Sequence, residues 1–87
     1  MSKGSFMDDN EIKRDIKSII AKIARIDPDG ISDTDSLRHD LSIDSLQASQ
    51  IIGMIDEKYG IEIDEVEIFN VDNVQDTLDI IKEYMNK

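Results

Sequence analysis

The chain has 87 residues, of which 10 are basic and 20 are acidic, and its formal net charge is −10. This length suits one domain with a modest core, and the charge would repel nucleic acid and anionic membrane surfaces but attract a basic surface on another protein. The absence of cysteine excludes disulfides, thiolate metal sites and cysteine nucleophiles. Without a long apolar run or a signal-peptide pattern, we expect a cytoplasmic monomer that does not insert into membranes.

Residues 1–8 show no apolar period, and we interpret them as a flexible leader to a single domain of residues 9–87. The first helix is predicted over residues 9–26, because isoleucines recur there at helical spacing. This stripe consists of Ile12, Ile16, Ile19, Ile20, Ile23 and Ile26. Polar side chains at positions 8–10 can cap the helix, and Pro28 is expected to end it.

A long connection, residues 27–43, follows the first helix. Connections of this length are uncommon in compact domains and are often functional. We expect Ile31, Leu37 and Leu41 to anchor it in the core, and residues 36–40 to form a short helical turn.

The connection contains two candidates for metal chemistry. Asp27, Asp29 and Gly30 match the start of an EF-hand loop, but the other ligands and the closing glutamate do not fall at the required spacing. Loose cation binding is therefore expected, and no dedicated metal site. His39, the only histidine, has no partner for a metal site and is expected to lie in solvent.

The chain is organised around the segment that begins at Asp44. Asp44 and Gln47 have the spacing of a capping box, which places Ser45 at the first position of a helix predicted over residues 45–59 and ended by Gly60. Ser45 would then lie beside unpaired backbone N–H groups at the positive end of the helix dipole. An anion attached there, such as a phosphodiester, would be electrostatically favoured.

This second helix has an inward face and a neighbouring strip that consists of Leu46, Ser49 and Gly53. The inward residues are predicted to be Ala48, Ile51, Ile52, Ile55 and Tyr59. Gly53 lies on the adjacent strip, where glycine costs about 1 kcal/mol relative to alanine. Two explanations stay open: close packing of another helix, or room for a prosthetic arm or an acyl chain.

The remaining sequence predicts an extended link at residues 61–63 and two further helices. A short third helix would start at Asp64 with Glu67 in a capping box, and a fourth at Asp72 with Gln75. The apolar sets are Val66, Ile68, Phe69 and Val71 for the third helix and Val74, Leu78, Ile81 and Met85 for the fourth. The predicted fold is all-α, a small four-helix bundle with a long first loop.

The motif Asp44-Ser45-Leu46 at the start of the second helix, in a small acidic chain with four predicted helices, resembles the acyl carrier protein family. The resemblance covers residues 11–85. It implies that Ser45 carries a 4′-phosphopantetheine arm, transferred from coenzyme A, whose thiol holds acyl groups as thioesters. Asp44 matches the motif acid, a metal neighbour during transfer in the family, and Leu46 matches the exposed apolar contact for partners.

The resemblance also implies partners. These are a phosphopantetheinyl transferase and acyl-transferring and ketoacyl-synthase-type enzymes with basic docking surfaces. The enzymes would belong to fatty-acid synthesis or to a specialised lipid or polyketide pathway.

Several residues depart from the pattern of fatty-acid-synthesis carriers. No charge occurs in residues 45–55, where Gln47 and Gln50 occupy positions that are commonly acidic. Ser42 stands where glycine is frequent, and residues 68–74 resemble the Leu-Phe-x-x-Pro-Thr-Ile segment of polyketide and nonribosomal-peptide carriers. These departures favour a carrier that serves a specialised pathway and not general fatty-acid elongation.

The sequence also bears on two other functional classes. A hydrolase with Ser45 as nucleophile would need an activating base and an oxyanion hole, but the chain has one histidine and no nucleophile-elbow motif, so the sequence predicts no enzyme. An acidic helical interaction module without a prosthetic group would explain the charge and the helices. It does not explain why Asp44-Ser45-Leu46 stands at the start of the second helix.

Overall fold

The structure is a computed structural model that describes residues 8–86. It contains three α-helices, α1 (Asp9–Ala24), α2 (Ser45–Tyr59) and α3 (Val74–Met85), and two short 3₁₀ helices, Pro28–Gly30 and Glu65–Phe69. No strand occurs in this part of the chain. The all-helical prediction is confirmed, whereas three α-helices replace the predicted four. Of the predicted leader, residues 1–7 lie outside the described residues, and Asp8 is the N-cap of α1.

The first helix is shorter than predicted. Asp8 caps it in a full capping box with Glu11, but the helix ends at Ala24, because Arg25 adopts a left-handed conformation with φ 60° and donates its N–H to Ala21. Pro28 therefore does not end the helix and instead begins the first 3₁₀ helix. Ile26 lies beyond the helix and is 39% exposed, so its predicted place in the core stripe is wrong.

The isoleucine stripe of α1 forms the centre of the core, and α1 packs against both α2 and α3. Side chains from all three α-helices and from the connections between them contribute to one cluster. Its fully buried large members are Ile16, Ile20, Ile55, Leu78, Ile81, Val74 and Thr77. The single buried polar residue of this set, Thr77, donates its hydroxyl to the carbonyl of Asn73 at 2.9 Å, so no polar group is left unpaired there.

The long connection is anchored by apolar side chains, as predicted. Ile31, Leu37 and Ile43 are buried, while Leu41 is only half-buried. A helical turn closes through hydrogen bonds from the N–H groups of Asp40 and Leu41 to the carbonyl of Ser36, at 2.8 and 3.1 Å. The connection is therefore ordered against the core although it contains only one turn of regular helix.

Polar contacts tie the same connection to the start of α3. The N–H of Leu37 donates to the carbonyl of Asp72 at 2.7 Å, and the hydroxyl of Ser36 donates to the Asp72 carboxylate at 2.9 Å. These contacts also explain why the predicted start of the fourth helix is one residue too early. Asp72 accepts hydrogen bonds from the long connection and does not cap the helix. Asn73 is the N-cap of α3, and its side chain accepts the N–H of Asp76 at 2.8 Å.

The third predicted helix is a 3₁₀ helix of five residues, Glu65–Phe69, capped by Asp64. A segment this short gains too few α-helical hydrogen bonds to offset the cost of nucleating an α-helix. Of its apolar set, Val71 is buried and Ile68 half-buried, but Val66 and Phe69 are exposed. Met85, at the end of α3, is also exposed by 41%, so its predicted core position is wrong.

A second tether joins the connection to α1. The Nζ atoms of Lys13 and Lys17 each lie 2.8 Å from a carboxylate oxygen of Asp33. Hydrogen bonds from Lys13 and then Lys17 hold the pKa of the Asp33 carboxyl below its ordinary value of 3.8. The backbone carbonyl of Asp33 also accepts the N–H of Gln75 at 3.2 Å, so this residue connects α1, the loop and α3.

We predict that Asp33→Asn lowers the melting temperature by a few degrees near neutral pH. A carboxyl whose pKa is lowered in the folded state contributes stability above its unfolded-state pKa, and this stability is lost as the pH falls through the folded value. The gap between wild type and Asp33→Asn should therefore close below pH 3.8. Thermal melts across a pH series test this. Asp29→Asn, on the same exposed loop, is the control, and melting curves that respond equally to both substitutions would contradict the tether.

Candidate functional site

The site begins where α2 begins. Asp44 is its N-cap, and the predicted capping box is present in both directions. The Asp44 carboxylate accepts the N–H of Gln47 at 2.8 Å, and the Gln47 side-chain oxygen accepts the N–H of Asp44 at 3.1 Å. Ser45 is therefore the first residue of the helix, as predicted, and its side chain is exposed.

The residues just before the cap explain how Ser45 is held at the surface. Ile43 is buried, and its N–H donates to the carbonyl of Leu37 at 2.7 Å, which fixes the chain two residues before the serine. The preceding Ser42 has φ 57°, in the left-handed region that favours glycine. Glycine adopts this conformation without strain, which explains why glycine is frequent at this position in the family that the sequence resembles.

The start of α2 is electrostatically suited to an anion. The N–H of Gln47 is taken by the cap, and the N–H of Ala48 donates to the carbonyl of Asp44. Within residues 8–86, no hydrogen bond is found for the N–H groups of Ser45 and Leu46. These two donors lie at the positive end of the helix dipole, beside the Ser45 hydroxyl.

A surface groove of about 440 Å³ runs past Ser45, and we call it the Ser45 groove. One wall is α2, with Ser45 and Ser49, and the other is the second 3₁₀ helix, with Glu65 and Phe69. Arg38, from the long connection, closes one side. An extended group attached to Ser45 therefore has an open channel along the protein surface.

A small apolar cavity of about 30 Å³ lies beneath the Ser45 groove. The two spaces share Arg38, Ala48 and Ile68 as lining residues. The cavity has room for little more than a water molecule. In this conformation, an acyl chain of any length would have to remain in the groove or displace the residues that separate the two spaces.

Three large apolar side chains near the Ser45 groove face solvent. Leu46 is 69% exposed, which agrees with the outward position expected from the motif, and Val66 and Phe69 are 59% and 78% exposed. Sequence reasoning assigned Val66 and Phe69 to the apolar set of a third helix. In the short 3₁₀ helix, both side chains are exposed instead of buried. The only signal in the sequence against an α-helix here is the short length of the segment.

The other candidates from the sequence add nothing to the site. His39 is exposed. No group of three or more potential metal ligands occurs in residues 8–86. Gly53 is exposed, and a Cβ built on it meets nothing within 4 Å, so the explanation that another helix packs closely there is wrong.

Comparison with known proteins decides the family. The profile described as a phosphopantetheine attachment site matches residues 14–81. An acyl carrier protein from Thermosynechococcus vestitus is 35% identical over 75 residues, which are 86% of this chain and 93% of that protein. This chain belongs to the acyl carrier proteins. Another relative, the acyl carrier protein of Buchnera aphidicola subsp. Schizaphis graminum, is 36% identical over 83% of this chain and 91% of its own length.

A more distant relative is named acyl carrier protein 2, mitochondrial, from Arabidopsis thaliana. It is 25% identical over 91% of this chain and 63% of its own length. The printed name of this relative places it in mitochondria. Across the described residues, no helix has the length and apolar character needed to cross a membrane.

Membership in the family establishes the class of function. The protein is a carrier and not an enzyme, and its cofactor is covalently attached 4′-phosphopantetheine. The residues around the Ser45 groove fit such a group, because a serine hydroxyl is exposed at its end and free backbone donors lie beside that hydroxyl.

We predict that Gly53→Ala stabilises the protein. Alanine is favoured over glycine in a helix interior by about 1 kcal/mol, which corresponds to roughly 4–8 °C in melting temperature for a domain of this size. The new methyl group meets no atom within 4 Å. Gly60→Ala is the control and should destabilise, since φ is +66° at that position. Thermal melts measure both, and a lower melting temperature for Gly53→Ala would show that this side of α2 is not open.

Proposed function

We propose that Ser45 is the residue that carries the 4′-phosphopantetheine arm. The observation that supports this most directly is the exposed Ser45 hydroxyl at the capped start of α2, facing an open groove. The free N–H groups of Ser45 and Leu46 lie next to the position of the new phosphodiester and favour its negative charge. The capping box holds the serine without using its hydroxyl.

Asp44 and Leu46 flank the proposed attachment site in two different roles. Asp44 fixes the start of α2 through its carboxylate. As the residue next to the serine, it would also be a neighbour of a metal ion during transfer, as the family resemblance implies. Leu46 is exposed next to the serine and offers an apolar contact to the transferase and to later partner enzymes.

In the proposed cycle, a phosphopantetheinyl transferase would move the 4′-phosphopantetheine of coenzyme A to the Ser45 hydroxyl. The hydroxyl would lose its proton and form a phosphodiester, while the pyrophosphate bond of coenzyme A would break and release adenosine 3′,5′-bisphosphate. When bound, the arm would supply a thiol able to hold an acyl group as a thioester, and the exposed position of Ser45 would let acyl-transferring and ketoacyl-synthase-type enzymes reach that group. The excess of acids would attract basic docking surfaces on these partners. We also propose that the carrier is cytoplasmic and monomeric, and that residues 9–87 form its single domain.

An interaction module without a covalent arm is the less favoured alternative. Such a module would require an exposed recognition surface but no serine at the start of a helix. The match to a phosphopantetheine attachment family over residues 14–81 favours the carrier.

We predict that incubation with coenzyme A and a promiscuous phosphopantetheinyl transferase raises the intact mass by one phosphopantetheine. Ser45→Ala should abolish the rise, because it removes the only atom that accepts the arm. Ser49→Ala is the matched control, since Ser49 lines the same groove on the same helix and should load like wild type. A wild-type chain that stays unmodified while a known carrier loads would contradict the carrier proposal, and loading of Ser45→Ala would contradict the site.

We further propose that the carrier serves a specialised lipid or polyketide pathway. Residues 45–55 of α2 carry no charge, and Gln50 is exposed at a position that is commonly acidic in housekeeping carriers. The exposed side chain of Phe69 lines the groove opposite α2, and the exposed Val66 lies on the same 3₁₀ helix. A partner matched to this surface would depend less on basic residues opposite α2 than fatty-acid-synthesis enzymes do.

We predict that Gln47→Glu combined with Gln50→Glu improves turnover by a general ketoacyl synthase. Each exposed ion pair contributes about 0–1 kcal/mol, so the gain should appear mainly in KM and most strongly at low salt. Glutamate at position 47 can keep the hydrogen bond to the N–H of Asp44. A matched control replaces Gln75 with Glu on α3. If wild type already equals a housekeeping carrier in this assay, ordinary fatty-acid synthesis becomes the better explanation.

A further inference from the structure

Arg38 lies at the junction between the long connection, α2 and the second 3₁₀ helix. It is exposed, and it lines both the Ser45 groove and the apolar cavity beneath it. Its Nη2 atom donates a hydrogen bond to the backbone carbonyl of Ile68 at 2.6 Å, which links residues 30 positions apart in the chain. Arg38 therefore connects the long connection directly to the second 3₁₀ helix.

The positive charge of Arg38 is not paired with a carboxylate in residues 8–86. The ion pairs found in residues 8–86 all involve lysines and none involves Arg38, although the net charge of the chain is −10. The guanidinium has five N–H donors in a planar fork, and only the contact with Ile68 occupies it. It is also the only cationic side chain among the residues that line the Ser45 groove, where Glu65 is the one acid.

We propose that Arg38 binds the phosphodiester of the prosthetic arm while it keeps its hydrogen bond to Ile68. This inference rests on the proposed attachment at Ser45, which places a phosphodiester in the groove that Arg38 borders. A guanidinium is suited to this role because its fork can pair with two phosphate oxygens. Arg38 would thus be a positioning residue that directs the arm along the groove.

The arrangement couples attachment of the arm to the second 3₁₀ helix. One side of the guanidinium contacts Ile68, and the other is free for the phosphodiester. Binding of the phosphodiester would restrict the motion of Arg38 and, through Ile68, that of the segment Glu65–Phe69. The exposed Val66 and Phe69 lie on this segment, so the loaded carrier would present them to partners in a more ordered arrangement than the unloaded chain does.

The test compares unloaded and loaded protein for wild type, Arg38→Gln and Arg38→Lys. Arg14→Gln, which removes the same charge from an exposed position on α1, is the control for long-range electrostatics. Intact mass first verifies loading at Ser45. The ³¹P resonance of the loaded arm and amide hydrogen exchange of residues 66–70 are then measured for each variant. Melting curves of the unloaded variants verify that each one folds.

We expect the ³¹P resonance of Arg38→Gln to differ from that of wild type, with Arg14→Gln unchanged. Loading should raise amide protection of residues 66–70 in wild type by roughly two- to fivefold, as for an exposed charge pair, and should leave it unchanged in Arg38→Gln. Arg38→Lys keeps the charge but loses the fork, so it should give a smaller effect. Added salt should weaken the wild-type response.

The possible failures are distinguishable. A chain that remains unloaded overturns the proposed function and this inference with it. A loaded chain whose ³¹P resonance and amide protection respond identically in wild type and Arg38→Gln overturns the role of Arg38 alone. An equal response in Arg14→Gln would show that net charge, and not contact with Arg38, causes the effect, and would overturn it as well.

Discussion

The reciprocal hydrogen bonds between Asp44 and Gln47 determine where α2 starts, and the geometry of the site depends on that starting point. A capping interaction of this kind typically contributes about 1 kcal/mol, which is small beside the core. Its structural effect is larger, because a shift of one residue would rotate Ser45 by about 100° around the helix axis. Ile43 reinforces the position, since its buried side chain prevents the loop from sliding past the cap.

Many aspartates of this acidic chain act as hydrogen-bond acceptors for its own backbone. Asp27, Asp44 and Asp64 each cap a helix, and Asp56 accepts the N–H of Ile63 in the link after α2. Asp33 joins two lysines of α1 to the long connection. The high acidic content therefore provides local order in segments that have little regular structure, in addition to the net negative charge on which the proposed attraction to basic partners depends.

The predictability of each element follows from how local its determinants are. The bounds of α2 could be read from sequence because Asp44, Gln47 and Gly60 specify both ends through contacts within a few residues. The end of α1 could not, since Arg25 adopts a left-handed conformation for which the sequence has no glycine. The Ser45 position was therefore predictable, whereas the link between Arg38 and Ile68 depends on tertiary packing and left no local pattern.

The surface around Ser45 combines the uncharged residues 45–55 of α2 with exposed apolar side chains, and this combination would constrain how partners recognise the carrier. Exposed ion pairs contribute little each, and salt screens them, so charge mainly brings the two proteins together. Under the proposed function, discrimination between partners would then come from close contact with Leu46 on α2 and with Val66 and Phe69 on the second 3₁₀ helix, which are all exposed. These side chains lie on two separate elements. The binding of a partner that contacts all three would therefore depend on the position of the second 3₁₀ helix relative to α2.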